Sequence, residues 1–525
     1  MLTLGIGGLL HDGAAALLKD GKLIAAVEEE KLLRQPHPGG LPDEAIQACL
    51  AMAGAKPEDL ACVALARPLG AGGDPSFHLQ IKTQFPKSRI VIVDHHMAHA
   101  ASAFFPSGFD KAAVVTADRV GDMRSGAVWE AEGTRIELQR EIYAPDAPAA
   151  FYSRVTELLG FRSGAEEHKV QWLSLHGTPR YRDKFSDILG VGDESLPQVD
   201  HSYFDASRTM GGGFSDKFFS HLGIDAGGDL SGDQRADLAA SVQRTVEQAV
   251  LRMIGNGENL CIAGGLALNA LLVAAVERSG QYENVWVQPA AGNSGNAIGC
   301  AYYSWHHVLR QSERFPLDNL FLGPEYDREH IKLVLENCKL RFQYLMTGHE
   351  VVQTAVSRLA DNQIVAWFQG RTEFGPRALG NRSILASPLN AYSTENLNVY
   401  IKHREPFRKF AASVPEELAS EYFDCGANSR TLATVSLVRE PHRKTFEAAL
   451  LDGERIRVHS VRKQDNPLYW ELLRAAGKSS GLPVLYNTSF NLFGEPLVCD
   501  PRAAVRSYYA SGIDAMFVGN FLLEK

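Results

Sequence analysis

Two histidines, one helical turn apart, are the first residues of this chain whose spacing suits chemistry. His95 and His99 lie in the stretch DHHMAHAASAF, residues 94–104. Side chains four residues apart on a helix lie about 5–6 Å from each other, so both imidazoles could bind one metal ion. Such pairs also occur on ordinary helix surfaces and in cores, and the spacing alone leaves both interpretations open.

A second group of candidate residues consists of arginines set among glycines. Residues 370–383 read GRTEFGPRALGNRS and contain Arg371, Arg377 and Arg382. A guanidinium group is planar and permanently charged, and it binds phosphate through paired hydrogen bonds. More basic residues follow, namely Lys402, His403, Arg404, Arg408, Lys409 and Arg457. A solvated charged surface is the alternative, but the small and apolar neighbours of the arginines favour a site for anions.

Two further segments could contribute to phosphate binding. The turn GGLLHDG, residues 7–13, has little side-chain bulk and could let a phosphate approach backbone N–H groups, although any tight turn uses the same glycines. Near the C-terminus, LPVLYNTSFN places Asn487 and Ser489 after an apolar strand, where an amide and a hydroxyl could close an anion site.

An internal repeat predicts the strands that flank the glycine-rich turn of residues 7–13. Residues 2–30 follow the pattern strand, Gly-rich turn, strand, Asp-Gly hairpin, strand, and residues 112–141 follow it again about 110 residues later. Two copies of one unit predict a duplicated α/β fold with a cleft between its halves. This pattern resembles the actin/sugar-kinase/Hsp70-like (ASKHA) superfamily, and the resemblance implies a nucleotide in the cleft.

Local signals place the other candidates on specific elements. Residues 90–93 form an apolar strand that ends at Asp94, which is a favourable N-cap for the helix with the histidine pair. Residues 260–262 form another apolar strand. The ASKHA resemblance implies that the residues after this strand hold an adenosine, through Gly264, Gly265 and Asn269. A domain boundary is predicted near residue 345, because no further copy of the repeat follows.

Composition excludes several classes of function. The chain has 525 residues and a net charge of -9, without a block of Lys or Arg, so we expect no nucleic-acid partner. Its seven cysteines are scattered and form no CxxC pair, as is typical of reduced thiols in a cytoplasmic protein. No apolar run reaches the ~18 residues that a membrane span requires, and the N-terminus does not resemble a signal peptide.

Six segments together resemble one enzyme family. They are DHHMAHAASAF, EEHKVQWLSLHG, AGGLALN, GRTEFGPRALGNRSILASP, IKHREPFRKFAASV and YNTSFNLFGEP. They are similar to the ATP-dependent O-carbamoyltransferases of nodulation-factor, cephem and aminoglycoside biosynthesis, over residues 4 to about 504. The resemblance implies an ASKHA-like α/β domain over residues 1–345, similar to tRNA threonylcarbamoyl-transfer proteins. A smaller YrdC-like α/β domain would cover residues 346–525.

The resemblance also implies a reaction in two steps. Carbamoyl phosphate and ATP would form carbamoyl-adenylate, and a hydroxyl or amine of a small natural product or sugar would then accept the carbamoyl group. The implied ligands of ATP and carbamoyl phosphate are Arg371, Arg377, Arg382, Lys402, Arg408, Arg457, Asn487 and Ser489. The implied adenylate contacts in the first domain are Asp122, Gly264, Gly265 and Asn269.

The implied catalytic residues are His11, Asp12 and Lys402. His11 and Asp12 match the position that faces the acceptor. His11 is the candidate base for the acceptor hydroxyl, because an unperturbed imidazole titrates near pH 6.5.

The resemblance further implies that His95, His99 and Asp118 hold a divalent iron, magnesium or manganese ion. The family's fourth ligand is an aspartate, but this chain has Asn293 there, whose uncharged amide predicts weaker binding. Arg119 also departs from the family, which has glycine at that position.

Two other interpretations stay open at this point. One is a tRNA or protein carbamoyl-transfer factor, which the acidic net charge disfavours. The other is a non-catalytic nucleotide-binding regulator, which Asn293 and Arg119 favour. The identity of the acceptor is open, and both a monomer and a homodimer are compatible with the sequence.

Overall fold

The computed structural model describes residues 1–68, 75–192, 195–208, 210–390, 392 and 395–525. The chain groups into two units, one formed by Met1–Val93 and Asn293–Lys525, the other by Asp94–Gly292. The first unit is therefore discontinuous in sequence. The division predicted near residue 345 stays a prediction.

The first unit begins with a mixed sheet. Its strands are β1 (Leu2–Gly7), β2 (Ala14–Lys19), β3 (Lys22–Glu28), β4 (Leu60–Ala66) and β5 (Arg89–Val93), in the order β3-β2-β1-β4-β5. β2 is antiparallel to β1 and β3, whereas β4 and β5 continue parallel to β1. The predicted Asp20–Gly21 hairpin joins β2 to β3. The helices of this region are α1 (Glu29–Leu33), α2 (Asp43–Ala53) and α3 (Pro75–Gln84).

The sheet of the second unit repeats this topology. The strands of this unit are β6 (Lys111–Gly121), β7 (Arg124–Glu132), β8 (Arg135–Tyr143), β9 (Leu189–Val191), β10 (Pro197–Val199), β11 (Gly257–Ala263) and β12 (Tyr282–Val287). β9 pairs with β10, and the other strands form a sheet in the order β8-β7-β6-β11-β12. β6, β7 and β8 are antiparallel neighbours, while β11 and β12 run parallel to β6. The duplication predicted from the sequence is therefore confirmed.

Helices connect these strands. They are α4 (His95–Phe104), α5 (Pro148–Leu158), α6 (Glu167–Leu173), α7 (Arg182–Ile188), α8 (Asp216–Leu222), α9 (Gly232–Ile254) and α10 (Ala270–Arg278). In α9, small and apolar side chains on one face are buried, as its helical periodicity predicts.

The rest of the first unit contains a second mixed sheet. Its strands are β13 (Gln343–Tyr344), β14 (Val365–Phe368), β15 (Arg382–Ala386), β16 (Ala411–Pro415), β17 (Phe423–Asp424), β18 (Ser436–Val438), β19 (Arg455–Val461), β20 (Leu485–Ser489), β21 (Ala515–Val518) and β22 (Phe521–Glu524). Their order is β13-β22-β21-β14-β15-β20-β16-β19-β18-β17. The accompanying helices are α11 (Gly295–Tyr303), α12 (Arg328–Asn337), α13 (Gly348–Ala360), α14 (Glu416–Tyr422), α15 (Pro467–Ser480) and α16 (Pro501–Tyr509).

Both faces of this second sheet are buried. Along β14, Val365 and Trp367 belong to one apolar cluster, whereas Ala366 and Phe368 belong to another. Successive side chains of a strand point to opposite faces, so the sheet separates two cores and forms a rigid support. The chain is thus an α/β protein with mixed sheets.

Two findings refine the sequence predictions. Helix α11 packs directly on β1, where a Cβ on Gly5 would lie 1.9 Å from the carbonyl oxygen of Ala297. Asn487 and Ser489 were expected after a strand but lie within β20, because this strand keeps pairing with β15 up to Ser489. In the part of the chain that the structure describes, no helix is both long and apolar enough to span a bilayer.

Candidate functional site

The predicted histidine pair lies at the start of α4. The carboxylate of Asp94 caps this helix and accepts a hydrogen bond from the N–H of Met97 at 3.1 Å, as predicted. The side chains of His95 and His99 are buried, and their Nε2 atoms lie 3.2 Å apart. Both Nε2 atoms approach Oδ2 of Asp118, at 3.3 Å and 3.1 Å respectively.

These three side chains have the donor set of a divalent metal site. One ligand atom of each lies within 4.8 Å of the other two. Burial alone would raise the pKa of Asp118, but hydrogen bonds to both imidazoles hold this pKa well below its usual value, so the carboxylate is ionised. Two imidazoles and a carboxylate fit a divalent transition metal, with further positions left for other ligands.

The surroundings of this cluster fix its geometry. A Cβ on Gly121 would lie 2.2 Å from the ring of His95, so only glycine fits at the end of β6. His96 is not part of the cluster, since its Nδ1 lies 3.0 Å from the hydroxyl of Thr116 and its Nε2 lies 3.1 Å from the carbonyl oxygen of Arg124. His96 therefore holds α4 against β6 and β7.

Two residues that depart from the family pattern lie in different units. The side chain of Arg119 is exposed, and its backbone N–H donates to Oδ1 of Asp118 at 2.8 Å. Asn293 belongs to the first unit, where its amide nitrogen lies 3.2 Å from Nε2 of His11. The role of Asn293 as a weak metal ligand stays a prediction.

The turn after β1 places Asp12 between two imidazoles. Nδ1 of His11 lies 2.8 Å from Oδ2 of Asp12, and Nδ1 of His37 lies 2.6 Å from Oδ1. Although burial alone would raise the pKa of Asp12, both imidazoles bring this pKa far below its usual value. Oε2 of Glu30 accepts a hydrogen bond from the N–H of His37 at 3.4 Å. An ionised carboxylate thus orients two potential bases.

His37 was not among the residues predicted for this site. It lies 25 residues after Asp12, in the segment QPHPGG, where nothing in the local pattern distinguishes it from a loop histidine. Only the folded chain brings the two residues together.

Three of the residues predicted to contact an adenylate lie at turns of the second unit. Gly264 and Gly265 follow β11, and a Cβ on Gly265 would lie 3.0 Å from Oδ1 of Asp118. This turn therefore runs directly beside the cluster of His95, His99 and Asp118. Asp122 is exposed in the turn between β6 and β7.

The fourth predicted adenylate contact, Asn269, is the N-cap of α10. Its side-chain oxygen accepts hydrogen bonds from the N–H groups of Leu271 and Leu272, both at 3.1 Å. Its amide nitrogen donates to Oε1 of Gln243 at 2.8 Å. Asn269 is thus engaged in structural hydrogen bonds, and its contact with an adenylate stays a prediction.

The arginine motif forms a loop between β14 and β15, called here the arginine loop, residues 370–382. Its buried Glu373 accepts three hydrogen bonds at Oε1, from the backbone N–H groups of Leu379, Asn381 and Arg382 at 2.9, 2.8 and 3.0 Å. The arginine loop is therefore wound around a buried carboxylate, which gives it a defined shape.

Two arginines of this loop are bound to backbone carbonyl groups. Arg382 is fully buried, donates to the carbonyl oxygen of Gln369 at 2.6 Å, and stacks 3.6 Å above the ring centroid of Phe368. The guanidinium of Arg371 donates to the carbonyl groups of Ile24, Leu322 and Gly323. Both side chains hold the loop in place, and their contact with phosphate stays a prediction.

The remaining arginine of the loop belongs to a group of positive charges, called here the cationic cluster. Its members are Arg377, Lys402, Arg404, Arg408 and Arg457. Burial, together with the charge of Arg408, lowers the pKa of Arg377 to about 10 and that of Arg404 to about 9. Burial and three of the other arginines lower the pKa of Arg457 well below its usual value. Gathering these charges costs free energy, which a bound polyanion would offset.

Lys402 connects the cationic cluster to the end of β20. This buried side chain lies at the end of a helical segment, Asn396–Lys402, and its Nζ donates to the carbonyl oxygen of Ser489. It also donates to Oδ1 of Asn491 at 2.6 Å. Burial, followed by the charges of Arg404 and Arg408, lowers the pKa of Lys402 well below its usual value.

The structure brings together most residues predicted to bind phosphate, but some of them lie in the cationic cluster and others only support the arginine loop. Arg377, Lys402, Arg408 and Arg457 share the cationic cluster, and Ser489 adjoins it through Lys402. Asn487 is buried and donates to the carbonyl oxygen of Ala378 at 3.1 Å, which supports the arginine loop. Arg404 was named only as part of the basic stretch that contains Lys402, and Asn491 was not among the implied ligands of ATP and carbamoyl phosphate.

Comparisons with known proteins give one consistent result. The family model described as Carbamoyltransferase N-terminus matches residues 2–68 and 69–302, and the model described as Carbamoyltransferase C-terminus matches residues 356–525. The chain is 32% identical to nodulation protein NolNO of Sinorhizobium fredii, over 98% of this chain and 79% of that protein. It is 34% identical to an uncharacterised protein of Synechocystis sp., over 99% of this chain and 96% of that protein.

Likeness to solved structures is weaker. Full-length HypF in its phosphate- and nucleotide-bound form covers 59% of this chain and 56% of its own, with 13% identity and a TM-score of 0.36.

Proposed function

Because the chain belongs to the carbamoyltransferase family, and is therefore a transferase enzyme, we propose that it carbamoylates a small acceptor with carbamoyl phosphate and ATP. In the first step, water releases phosphate from carbamoyl phosphate, and the resulting carbamate attacks the α-phosphate of ATP. Carbamoyl-adenylate forms and pyrophosphate leaves. In the second step, an acceptor hydroxyl attacks the carbamoyl carbon, loses its proton, and displaces AMP.

The cationic cluster is the observation that carries this proposal. Carbamoyl phosphate and ATP are both polyanions, and their reaction concentrates further negative charge on the transferred phosphoryl oxygens. Arg377 and Arg404 stay charged at neutral pH, because burial lowers their pKa only to about 10 and about 9. Fixed positive charges in a partly buried site stabilise such a transition state without reorganisation of water.

Lys402 is the one lysine of the same cluster, and its ammonium group is a compact point charge. Its Nζ donates to the carbonyl oxygen of Ser489, the last residue of β20, and to Oδ1 of Asn491, which follows this strand. We assign Lys402 and Ser489 to the carbamoyl phosphate side of the cluster. This half of the reaction would belong to a YrdC-like domain over residues 346–525.

The second step would belong to an ASKHA-like domain over residues 1–345. The equal strand order of the two sheets supports such a domain. His11, oriented by the ionised Asp12, is the base that would take the proton of the acceptor hydroxyl. A divalent ion held by His95, His99 and Asp118 would supply positive charge to the adenylate phosphate, beside the turn of Gly264 and Gly265.

The proposal is tested by pyrophosphate release. Purified protein with ATP and carbamoyl phosphate should release pyrophosphate, and omission of carbamoyl phosphate should stop it. The Arg377→Ala variant removes one charge from the cationic cluster, so it should release pyrophosphate more slowly than the wild-type protein. If the wild-type protein forms no pyrophosphate, with or without candidate acceptors, the proposed function is wrong.

A further inference from the structure

One short segment of the first unit contacts both predicted sites of that unit. Residues 28–38, called here the connecting segment, contain α1 and end next to His37. This segment contributes a buried ion pair to the arginine loop at one end, and it approaches Asp12 at the other. None of the residues in this ion pair was predicted to have a role.

The ion pair consists of Glu28 and Lys31. Both side chains are buried, with 5% and 1% of their surface exposed, and Nζ of Lys31 lies 2.8 Å from Oε2 of Glu28. Lys31 also donates to the carbonyl oxygens of Glu373 and Gly375, at 2.7 Å and 2.8 Å. Oε1 of Glu28 accepts a hydrogen bond from the N–H of Gly375 at 2.6 Å. The pair therefore holds the backbone two residues before Arg377.

A second contact fixes the segment near the cationic cluster. Arg34 donates to the carbonyl oxygen of Pro496 at 2.6 Å and to Oε2 of Glu495 at 2.9 Å. The carbonyl oxygen of Glu495 accepts a hydrogen bond at 2.6 Å from the side-chain amide of Asn491, which in turn binds Lys402.

Both ends of the connecting segment are also bound to the turn of Asp12. The N–H of Glu29 donates to the carbonyl oxygen of Gly13 at 2.8 Å, and the N–H of Gly13 donates to that of Pro38 at 3.2 Å. His37 adds its contact with Asp12 at 2.6 Å. One continuous segment thus touches the arginine loop and the turn that carries the candidate base.

We propose that Glu28 and Lys31 are positioning residues for adenylate formation, because they fix the arginine loop so that Arg377 points into the cationic cluster. This inference rests on the proposed function. Neither residue needs to touch ATP or carbamoyl phosphate. A buried lysine and glutamate are expensive to desolvate, so a pair that only filled space would be replaced by apolar side chains at little cost. Here the pair satisfies three backbone groups of the loop, which apolar side chains cannot do.

The test compares variants that remove these contacts. Lys31→Met keeps the aliphatic stem and removes the Nζ donors. The double variant Glu28→Gln/Lys31→Met removes both charges, so no unpaired buried charge threatens folding. Arg358→Met is the matched control. It breaks a different ion pair of the same unit, in which Arg358 and Glu524 lie 2.8 Å apart. Each protein is checked by thermal unfolding before the measurements.

Two readouts decide the result. The first is kcat for pyrophosphate release at saturating ATP and carbamoyl phosphate, which we expect to fall about 10²-fold in Lys31→Met and in the double variant. The second is hydrogen exchange at residues 375–382, which we expect to become faster in both variants. The Arg358→Met control should match the wild-type protein in both readouts.

Other outcomes overturn the proposal. If the folded variants keep the wild-type kcat and lose only thermal stability, the ion pair is purely structural. If exchange at residues 375–382 is unchanged, the pair does not fix the loop. Absence of pyrophosphate with the wild-type protein would refute the proposed function instead, and the exchange comparison would still decide whether the pair fixes the loop.

Discussion

Nδ1 of His37 lies 2.6 Å from Oδ1 of Asp12, while Nδ1 of His11 lies 2.8 Å from the other oxygen of the same carboxylate. One aspartate thus fixes the tautomer and the orientation of two imidazoles. In both rings, Nδ1 carries the proton that faces Asp12, which leaves Nε2 as the basic atom.

Asp12→Asn should therefore impair the transfer step and spare adenylate formation. The amide oxygen of asparagine can accept a hydrogen bond from only one of the two imidazoles, so one ring loses its orientation. We expect carbamoyl transfer to fall by about 10²-fold or more, with pyrophosphate release in the first turnover unchanged. Quantifying pyrophosphate and carbamoylated product separately, over a panel of small hydroxyl acceptors, checks this. Equal transfer rates in variant and wild-type protein would contradict it.

Arg377→Ala and Arg382→Ala should fail in different ways. Arg377 lies in the cationic cluster, so its removal should lower kcat for pyrophosphate release by about 10²–10³-fold and leave thermal unfolding nearly unchanged. Arg382 is fully buried, stacks on Phe368 and donates to backbone carbonyl groups, so its removal should destabilise the fold by about 3 kcal/mol or more. Equal loss of stability in both variants would argue against this division of roles.

Anion binding should be coupled to proton uptake at Lys402. Burial and the charges of Arg404 and Arg408 lower the pKa of Lys402 well below its usual value, and a bound phosphate should raise this pKa again. Binding of carbamoyl phosphate should then weaken as the pH rises from the lowered pKa towards about 10.4. Calorimetry in buffers of different ionisation enthalpy measures the uptake, which should disappear in Lys402→Met. Uptake that persists unchanged in this variant would assign it to another group.

The histidine cluster predicts which substitutions remove a metal ion. His99→Ala should lose divalent metal from protein purified without a chelator, because it removes one of the three candidate ligands, His95, His99 and Asp118. His96→Gln is the matched control on the same helix, since His96 contacts Thr116 and the carbonyl oxygen of Arg124 instead. Elemental analysis of both variants checks the prediction. The prediction is wrong if the two variants contain the same amount of metal.

Acid should destabilise the protein below pH 6.5 through His459. Burial lowers the pKa of His459 from 6.5 to about 3, so the unfolded chain binds a proton that the folded chain does not. The free energy of unfolding should fall as the pH decreases from 6.5 towards 3, and this residue should account for about 2 kcal/mol at pH 5. Urea unfolding at pH 7 and pH 5 should show a smaller difference in His459→Gln. An unchanged difference would exclude His459.

Local signals in the sequence identified the parts of the fold that depend on neighbouring residues. The cap at Asp94, the hairpin at Asp20–Gly21 and the repeated sheet are of this kind, because turn chemistry and strand spacing are encoded within short segments. The basic stretch IKHREPFRKF likewise predicted that Lys402 and Arg408 belong to one site.

Contacts between distant segments could not be predicted in this way. Lys31 is 344 residues from Gly375, and in EEKLL it reads as an ordinary charged residue of an exposed helix. For Arg382 the sequence indicates a role that its contacts do not reveal, since its place in a motif of arginines predicts that it binds phosphate. Its surroundings of carbonyl oxygens and an aromatic ring become visible only in the folded chain.

The packing of α11 on β1 has a consequence for synthesis of the chain. Gly5 and Ala297 touch, yet about 290 residues separate them, and the whole second unit lies between them in sequence. At roughly 5–20 residues per second, the ribosome needs about 15–60 s to produce α11 after β1 has emerged. During this interval the face of the first sheet around Gly5 is not covered by α11, so the second unit can fold first. A released fragment of residues 1–292 should therefore contain a protease-resistant second unit and an accessible N-terminal segment.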